Sequence, residues 1–153
     1  MTRMTWRWFG VKTVYRSEAS GRARNTDACY DVRTTLVEER VVMFKARSPE
    51  EAIRKAGTEA KEYVKGMGYT NAYGERVRQR YLGACDAFEL FDELDAGAEV
   101  FSSNRLVPGT VADQTVVKQL IGAKETKKHA ERRWRFLDAE ITREFMGDHL
   151  REK

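Results

Sequence analysis

The sequence contains few of the residues on which catalytic and metal-binding sites usually depend. It has two cysteines and two histidines in 153 residues. Cys29 and Cys85 are too few for a disulfide framework and lie in no CxxC or Cys/His cluster, so we expect buried, reduced thiols. His129 and His149 have a spacing that fits no metal-binding turn. With no nucleophile elbow and no glycine-rich phosphate loop, the sequence predicts no metal and no cofactor.

Long apolar runs are also missing. No segment approaches the roughly 18 to 20 consecutive apolar residues that span a bilayer. The first ten residues, MTRMTWRWFG, are charged and aromatic, unlike the apolar stretch and small-residue cleavage site of a secretory signal. We therefore expect a cytoplasmic protein with no membrane partner.

The residues that are present have the proportions of a globular domain. Hydrophobic residues make up 41% and aromatic residues 10%, which is enough for a core. The net charge of +4 is unevenly distributed, because residues 1–47 and 112–153 are basic and residues 48–111 are acidic. This net charge is too small to indicate a nucleic-acid partner by itself.

The order of apolar patterns predicts an α+β fold with an antiparallel sheet of four to five strands. Alternating or β-branched segments that predict strands occur at residues 6–18, 29–46, 75–83, 84–94 and 99–107. A single helix at about 48–67 would cover this sheet. Pro108 and Gly109 mark a change of pattern. We therefore predict a sheet-plus-helix domain over residues 1–107 and a helical C-terminal extension over 108–153.

The predicted covering helix has a well-defined start. Ser48 suits the N-cap, Pro49 the first helical position, and Glu51 completes a capping box. Apolar residues then recur at helical spacing at Ile53, Ala56, Ala60, Tyr63 or Val64, and Met67. Carboxylates at this position are explained by capping and by the helix dipole, so we assign them a structural role and no acid–base role.

Three blocks of the sequence resemble a bacterial family, the domain of unknown function 4288. They are WFGVKTVY, EERVVMFKARSPEEAIRKA and YTNAYGERVRQRYLGACDAFELFDELDAGAEVFSS, which together span most of residues 6–104. The resemblance implies a compact sheet-plus-helix module and brings no established activity. The chain departs from the family pattern at Gln79, where an aromatic residue is expected, and in its helical tail of about 45 residues.

Two basic groups are candidates for binding a polyanion. Arg76, Arg78 and Arg80 alternate along one predicted strand, which spaces same-face side chains by about 6.6 to 7 Å, near the phosphate spacing of a nucleic-acid strand. The tail adds Lys127, Lys128, Arg132 and Arg133. The alternative for the arginines is a solvated face with cross-strand pairs to Glu38, Glu39 or Glu89. Trp6 and Trp8, with Arg3 and Arg7, are either a stacking surface or packing at the sheet edge.

The tail carries an apolar stripe that is the candidate partner-binding surface. This stripe consists of Trp134, Leu137, Ile141 and Phe145. A helix with such a stripe requires protein on that face. Three arrangements remain open: the helix folds back on its own domain, it forms a homodimer, or it binds another protein.

These observations favour a non-enzymatic protein–protein interaction module that acts as a dimer, an adaptor or an inhibitor. The alternative is a small nucleic-acid-binding protein that uses the arginines and the basic part of the tail. A third hypothesis is an enzyme that uses carboxylates between residues 86 and 95. The absence of a catalytic constellation makes the enzyme the weakest of the three.

Overall fold

A computed structural model describes residues 5–120 and 127–137, and it confirms the α+β fold. In chain order, the elements are β1 (Arg7–Ser20), β2 (Leu36–Ala46), α1 (Pro49–Tyr63), β3 (Gly68–Thr70), β4 (Arg76–Glu89), α2 (Asp113–Leu120) and α3 (Lys127–Phe136). Within the two described ranges, no helix is both long and apolar enough to cross a bilayer.

The four strands form one antiparallel sheet in the order β2-β1-β4-β3. β1 and β2 pair from Arg7 opposite Ala46 to Ser17 opposite Leu36. Because side chains alternate between the two faces of a sheet, β1 divides into an inner face toward α1 and an outer face. The sheet order places β2 at one edge, with no further strand beside it among the described residues.

The core lies between the inner face of the sheet and α1. Phe9 and Val11 of β1 pack with Ala46, Ala52 and Ala56, and all five are fully buried. Burial of side chains as large as Phe9 and Val11 stabilises the fold by about 1.5 to 3 kcal/mol each. The helix face agrees with the predicted one at Ala56 and Ala60 and differs elsewhere. Its buried residues are alanines at every fourth position, which allow a close approach to the sheet, whereas the predicted Ile53 and Met67 are exposed.

The start of α1 follows the predicted capping pattern with one change of partner. The Ser48 side chain accepts a hydrogen bond from the Glu51 backbone N–H at 3.2 Å. The Glu51 carboxylate accepts from the backbone N–H of Arg47, not from that of Ser48, at 3.0 Å. The hydrogen bonds from the backbone and side chain of Arg47 lower the pKa of Glu51 from 4.5 to about 2. The helix ends at Tyr63 with Val64 as its C-cap, and Gly66 follows with a φ of +74°.

Two predicted strand segments were wrong. Residues 29–35 form a loop, because Asp27 and Asp31 accept hydrogen bonds from the backbone N–H groups of Cys29 and Arg33, as aspartates do in turns. Residues 99–107 form no strand either. The segment read as a separate strand after Gly83 continues β4.

The contacts of the chain divide it into two compact units. Unit 1 consists of residues 5–18, 35–68 and 78–103. Unit 2 consists of residues 19–34 and 69–77 with the described residues from 104 onward. The predicted division at residue 107 stays a prediction.

Candidate interaction surfaces

The outer face of unit 1 presents apolar side chains along its edge strand. On β2, Val37 is 50% exposed and Val41 is 42% exposed, and Trp8 on the neighbouring strand is 43% exposed. They share this face with the exposed side chains of Glu39 and Lys45. The alternation of VEERVVMFK explains the arrangement, because every second residue points away from α1.

Part of the same outer face is covered by the chain itself. The carbonyl oxygen of Val100 lies over Gly10, where an added Cβ would be 2.0 Å from that oxygen. The Lys12 ammonium lies 4.9 Å from the ring centre of Phe101, which also packs near Phe88. A glycine is required at position 10 because any side chain would collide with this covering segment. The exposed valines of β2 belong to the part of the face that remains open.

The inner side of β2 is anchored to α1 by polar contacts. Arg40 forms an ion pair with Glu59 in which both carboxylate oxygens lie 2.8 Å from the same guanidinium nitrogen. Its guanidinium stacks 3.8 Å from the ring centre of Tyr63. Burial opposes the charge of Arg40, but the hydrogen bonds to Glu59 raise its pKa overall. Lys55 donates to the carbonyl oxygen of Lys45 at 2.7 Å. The edge strand is therefore held firmly by α1 while its outer face stays exposed.

A cluster of tyrosines continues this anchor into the core. Tyr15 is fully buried and packs against Tyr63 and Tyr81, and its hydroxyl lies 2.7 Å from that of Thr13. Burial, and then the hydrogen bond to Cys85, raises the pKa of Tyr81. The cluster therefore supplies packing and hydrogen bonds.

Gln79 lies beside this cluster. It is the position at which the sequence departs from the family pattern, and its contacts show what the glutamine does there. Its amide nitrogen donates to Glu38 at 2.6 Å, and Tyr63 donates to the same carboxylate at 3.2 Å. The Gln79 side-chain carbonyl oxygen is buried and has no hydrogen-bond partner among the described residues. An aromatic residue at this position could pack against the tyrosines without leaving a buried polar atom.

The predicted arginine ladder lies on β4, and all three side chains are exposed. Arg80 is 3.3 Å from Glu18, a pair in which both side chains are about half exposed. Its partner is therefore not one of the three glutamates considered from the sequence. Arg76 and Arg78 form no side-chain hydrogen bond or ion pair with the described part of the chain. The exposure of all three fits either a solvated face or a polyanion contact.

The two N-terminal tryptophans are already associated with cations. The Trp6 ring lies 4.8 Å from the Lys55 ammonium and 5.2 Å from the Arg47 guanidinium, and Trp8 lies 5.9 Å from Lys45. Arg7 is not part of this group, since it pairs with Glu89 at 2.6 Å. Arg3 lies outside the described residues. The rings are thus packed at the sheet margin, with about half of their surface exposed.

Helix α3 of the tail is bound within unit 2. Arg135 of α3 lies 2.9 Å from Asp27, and the Asp27 carboxylate also accepts from the Tyr73 hydroxyl at 2.7 Å. That hydrogen bond is the main cause of the lowered pKa of Asp27. The Tyr69 hydroxyl donates to the carbonyl oxygen of Phe136 at 2.9 Å. These contacts correspond to the arrangement in which the tail folds back on its own chain, for residues 127–137 only.

The predicted tail residues are placed as follows. Trp134 lies on α3, and Leu137 directly after it is half-buried. Ile141 and Phe145 lie outside the described residues. Of the basic residues, Arg132 is half-buried and Arg133 is exposed, and Lys127 and Lys128 begin α3. The described residues therefore bring neither the apolar stripe nor the basic group together as a complete surface.

Unit 2 also contains a buried polar turn that the sequence analysis did not identify. Asn71 is 2% exposed, and its side-chain oxygen accepts from the backbone N–H groups of Tyr73 and Glu75. Its amide nitrogen donates to the Glu75 carboxylate, which also accepts from the Tyr30 hydroxyl at 3.1 Å. The signal was present in the NAYGE segment, because Asn before a glycine turn commonly bonds its own backbone.

The remaining candidates form no recognisable site. Both cysteines are free, as predicted, but they are half-buried where buried thiols were predicted. Across residues 5–120 and 127–137, no three potential metal ligands cluster. Of the carboxylates between residues 86 and 95, Glu89 pairs with Arg7, and Asp95 accepts from the backbone N–H of Ala96. A shallow depression of about 420 Å³ lies at the start of α1, lined by Arg47, Ser48, Glu50, Glu51 and Arg54.

Comparison with known families identifies the family of the chain. The family described as domain of unknown function (DUF4288) matches residues 8–102, which include nearly all of β1, the whole of β2, α1, β3 and β4, and the segment over Gly10. No curated protein and no solved structure matches the chain significantly.

Proposed function

The chain belongs to the DUF4288 family, and we propose that it is a non-enzymatic protein–protein interaction module whose binding surface is the edge strand β2. The observation that carries this proposal is an eleven-residue strand at the edge of the sheet with exposed valines at positions 37 and 41. The proposed partner adds a strand to this edge and covers the valines.

The edge supports this proposal through its backbone and its side chains together. An edge strand has backbone N–H and C=O groups that can pair with another strand, and proteins usually shield such an edge with prolines, bulges or a covering segment. β2 contains no proline, and its pairing with β1 is continuous from Leu36 to Ala46. Single exposed apolar residues are ordinary, but a group of them on one face of an edge strand is typical of strand-addition sites. Lys55 donates to one carbonyl oxygen of this edge, that of Lys45, and an added strand would replace this hydrogen bond.

The inner side of β2 supports the proposal for a different reason. The Arg40–Glu59 ion pair and the core beneath Phe44 hold the strand in a fixed conformation. A partner that pairs with a preordered strand loses little conformational entropy on the module's side. The groups with lowered carboxyl pKa values, such as Glu51 and Asp27, form helix-cap and ion-pair contacts. The proposal accordingly assigns them no catalytic role.

The tail stripe remains a second proposed contact within the same function. Trp134, Leu137, Ile141 and Phe145 would form a partner contact of their own. Arg135 and Phe136 are bound within unit 2. The stripe would therefore contribute through Trp134 and through its residues from Leu137 onward.

The test is site-specific photocrosslinking in the cells that normally produce the protein. A photoreactive amino acid replaces Val41 on the outer face, and the matched control replaces Lys61, an exposed residue of α1. We expect a discrete crosslinked adduct from position 41 and none from position 61. The absence of an adduct at position 41, with the variant folded and present at normal levels, would contradict the proposed function.

A small nucleic-acid-binding protein is the second candidate, favoured by the exposure of Arg76, Arg78 and Arg80. Contacts to phosphates release counterions, so the affinity for a single-stranded oligonucleotide should fall steeply with salt. Replacement of Arg78 by alanine should weaken binding and reduce the salt slope by roughly one contact. An affinity that is independent of salt, or unchanged in Arg78→Ala, would exclude this candidate.

A further inference from the structure

We propose that the partner strand at β2 is β2 of a second copy of this chain, paired antiparallel with Val42 opposite Val42. This inference rests on the proposed function and specifies its partner. Residues 38–46 of each copy would pair, and the two sheets would become one continuous sheet across a two-fold axis. Such a contact is isologous, so each favourable side-chain pair occurs twice.

The geometry of paired strands restricts the registers to be compared. A two-fold axis perpendicular to the sheet makes the two edge strands antiparallel and keeps each outer face on the same side. Two residues that face each other across the axis must have their side chains on the same face of the sheet, and side chains alternate along a strand. One residue of β2 therefore always faces the same residue of the other copy, and that residue is described below as lying on the axis. Each register is therefore defined by the one residue that faces its own copy.

Charge distinguishes these registers. With Val42 on the axis, Lys45 faces Glu39 of the other copy and Met43 faces Val41 of the other copy, on the outer face. Each of these pairs occurs twice. Directly opposed unlike charges and apolar pairs stabilise a sheet, and like charges destabilise it. On the inner face, this register opposes no two charges of the same sign.

The neighbouring registers lack this complementarity. With Val41 on the axis, no charged residue faces another charged residue. With Arg40 on the axis, two guanidiniums face each other, and with Glu39 on the axis, two carboxylates do. With Met43 on the axis, Lys45 faces Val41. Among pairs within β2, only the register centred on Val42 opposes unlike charges without also opposing like charges.

The charged residues of this register are available for a second contact. The Glu39 side chain is 59% exposed, and its pair with Lys12 is long, at 3.4 Å. The Lys45 side chain is exposed, with its ammonium 5.9 Å from the Trp8 ring. Neither group is committed to a buried ion pair that a partner would have to break.

Charge reversal on the full chain tests the register. In Glu39→Lys, lysines at 39 and 45 would face each other, and in Lys45→Glu, glutamates would. We expect the wild type to dimerise and each single variant to raise the dimer dissociation constant roughly 10- to 100-fold, because two symmetry-related pairs change from attraction to repulsion. The double variant restores both pairs in reversed order, so its dissociation constant should return to near the wild-type value. Sedimentation over a range of protein concentrations measures all four.

Mixing the two single variants gives the most specific result. A lysine-rich edge from Glu39→Lys would face a glutamate-rich edge from Lys45→Glu, so the mixture should form heterodimers although neither variant dimerises well alone. Glu62→Lys, which makes the same charge change at an exposed position of α1, is the matched control and should dimerise like the wild type. Circular dichroism and thermal unfolding of each variant verify that the fold is retained.

The outcomes separate this inference from the proposed function. A wild type that stays monomeric at all concentrations, or a mixture that forms no heterodimer, overturns self-pairing. If position 41 then still crosslinks, to a protein of another mass, the interaction function stands with a foreign partner. If position 41 forms no adduct at all, the proposed function fails as well.

Discussion

The two units of the chain bury polar and apolar side chains in different arrangements. In unit 1, Phe9 and Val11 of β1 are enclosed by alanines of α1 and form an apolar cluster. Unit 2 buries Val77 and Tyr73 together with Asn71 and Glu75, and the polar atoms of Asn71 and Glu75 are hydrogen-bonded to one another and to the backbone. Unit 1 is therefore stabilised mainly by removal of apolar surface from water, and unit 2 depends in addition on a set of directional hydrogen bonds.

This difference is reflected in how the edge and the tail are held. The anchor of β2 combines ion pairs at its margin with the apolar core beneath it, so the loss of one polar contact leaves the packing in place. In unit 2, α3 is attached through the Arg135–Asp27 pair and through hydrogen bonds at Phe136 and at the Arg135 carbonyl oxygen. Removal of one polar partner should consequently have a larger local effect in unit 2 than at the rim of unit 1.

The largest effect should come from the apolar core of unit 1. Phe9→Ala removes a fully buried ring that packs with Ala52 and Ala56, and we expect the free energy of unfolding to fall by about 3 to 5 kcal/mol. Urea denaturation followed by circular dichroism measures this change. The matched control is Phe91→Ala, since Phe91 is 81% exposed and its removal should change stability by less than about 0.5 kcal/mol. Equal effects of the two substitutions would contradict the apolar account of unit 1.

Asn71→Ala tests the polar account of unit 2. The substitution leaves the backbone N–H groups of Tyr73 and Glu75 buried without their acceptor, and we expect a loss of about 2 to 3 kcal/mol. Asn104→Ala, at an exposed position of the same unit, is the control and should be close to neutral. A neutral result for Asn71→Ala in the same denaturation assay would mean that water or other groups replace its hydrogen bonds.

The parts of the fold that depend on local pattern were predictable from the sequence. The strand at residues 6–18 follows from its alternation, and the start of α1 at Ser48 follows from its capping residues. On α1, Ala56 and Ala60 were predicted correctly, but Ile53 was predicted in place of Ala52 because isoleucine is more apolar. The close approach of helix and sheet selects the smaller alanine. Side-chain volume at a contact depends on distances between elements, which a single sequence does not contain.

The candidate edge was predictable only in part. The alternation of residues 37–45 was visible, but the sequence does not specify which strand lies at the edge, because that depends on the non-local order β2-β1-β4-β3. The segment over Gly10 was read as a strand for the same reason. Its backbone instead lies across the outer face and approaches through its Val100 carbonyl oxygen. The arginines and the tail could be identified as candidates because their patterns are local, whereas the position of β2 at the edge could not.

The attachment of α3 gives a smaller and local prediction. Asp27→Ala removes the carboxylate that accepts from Tyr73 and pairs with Arg135. We expect amide hydrogen exchange in residues 127–136 to accelerate severalfold while exchange in α1 stays unchanged, since open segments exchange according to their local stability. Hydrogen-exchange mass spectrometry at neutral pH resolves the two segments. Equal acceleration in α1 would show that Asp27 acts on the whole chain, and the contrast between the units would then fail.

The smallest expected effect concerns the acid sensitivity of unit 1. Glu51 has a pKa of about 2 in the folded chain against 4.5 ordinarily, because the N–H groups of Arg47 stabilise its charged form. A lowered folded pKa means that the contribution is fully present above about pH 4.5 and is lost as the pH falls through about 2. In Glu51→Gln, this charge is absent at every pH. The stability difference between wild type and variant should therefore be constant from pH 7 to pH 5 and should shrink between pH 4.5 and pH 2. Urea denaturation at a series of pH values measures the difference.

Because Glu62 is exposed and lies outside the cap, Glu62→Gln should give a difference that varies less over the same range. A difference for Glu51→Gln that is independent of pH would mean that the cap acts through its shape and hydrogen bonds, which glutamine can reproduce in part, and not through the charge of the carboxylate.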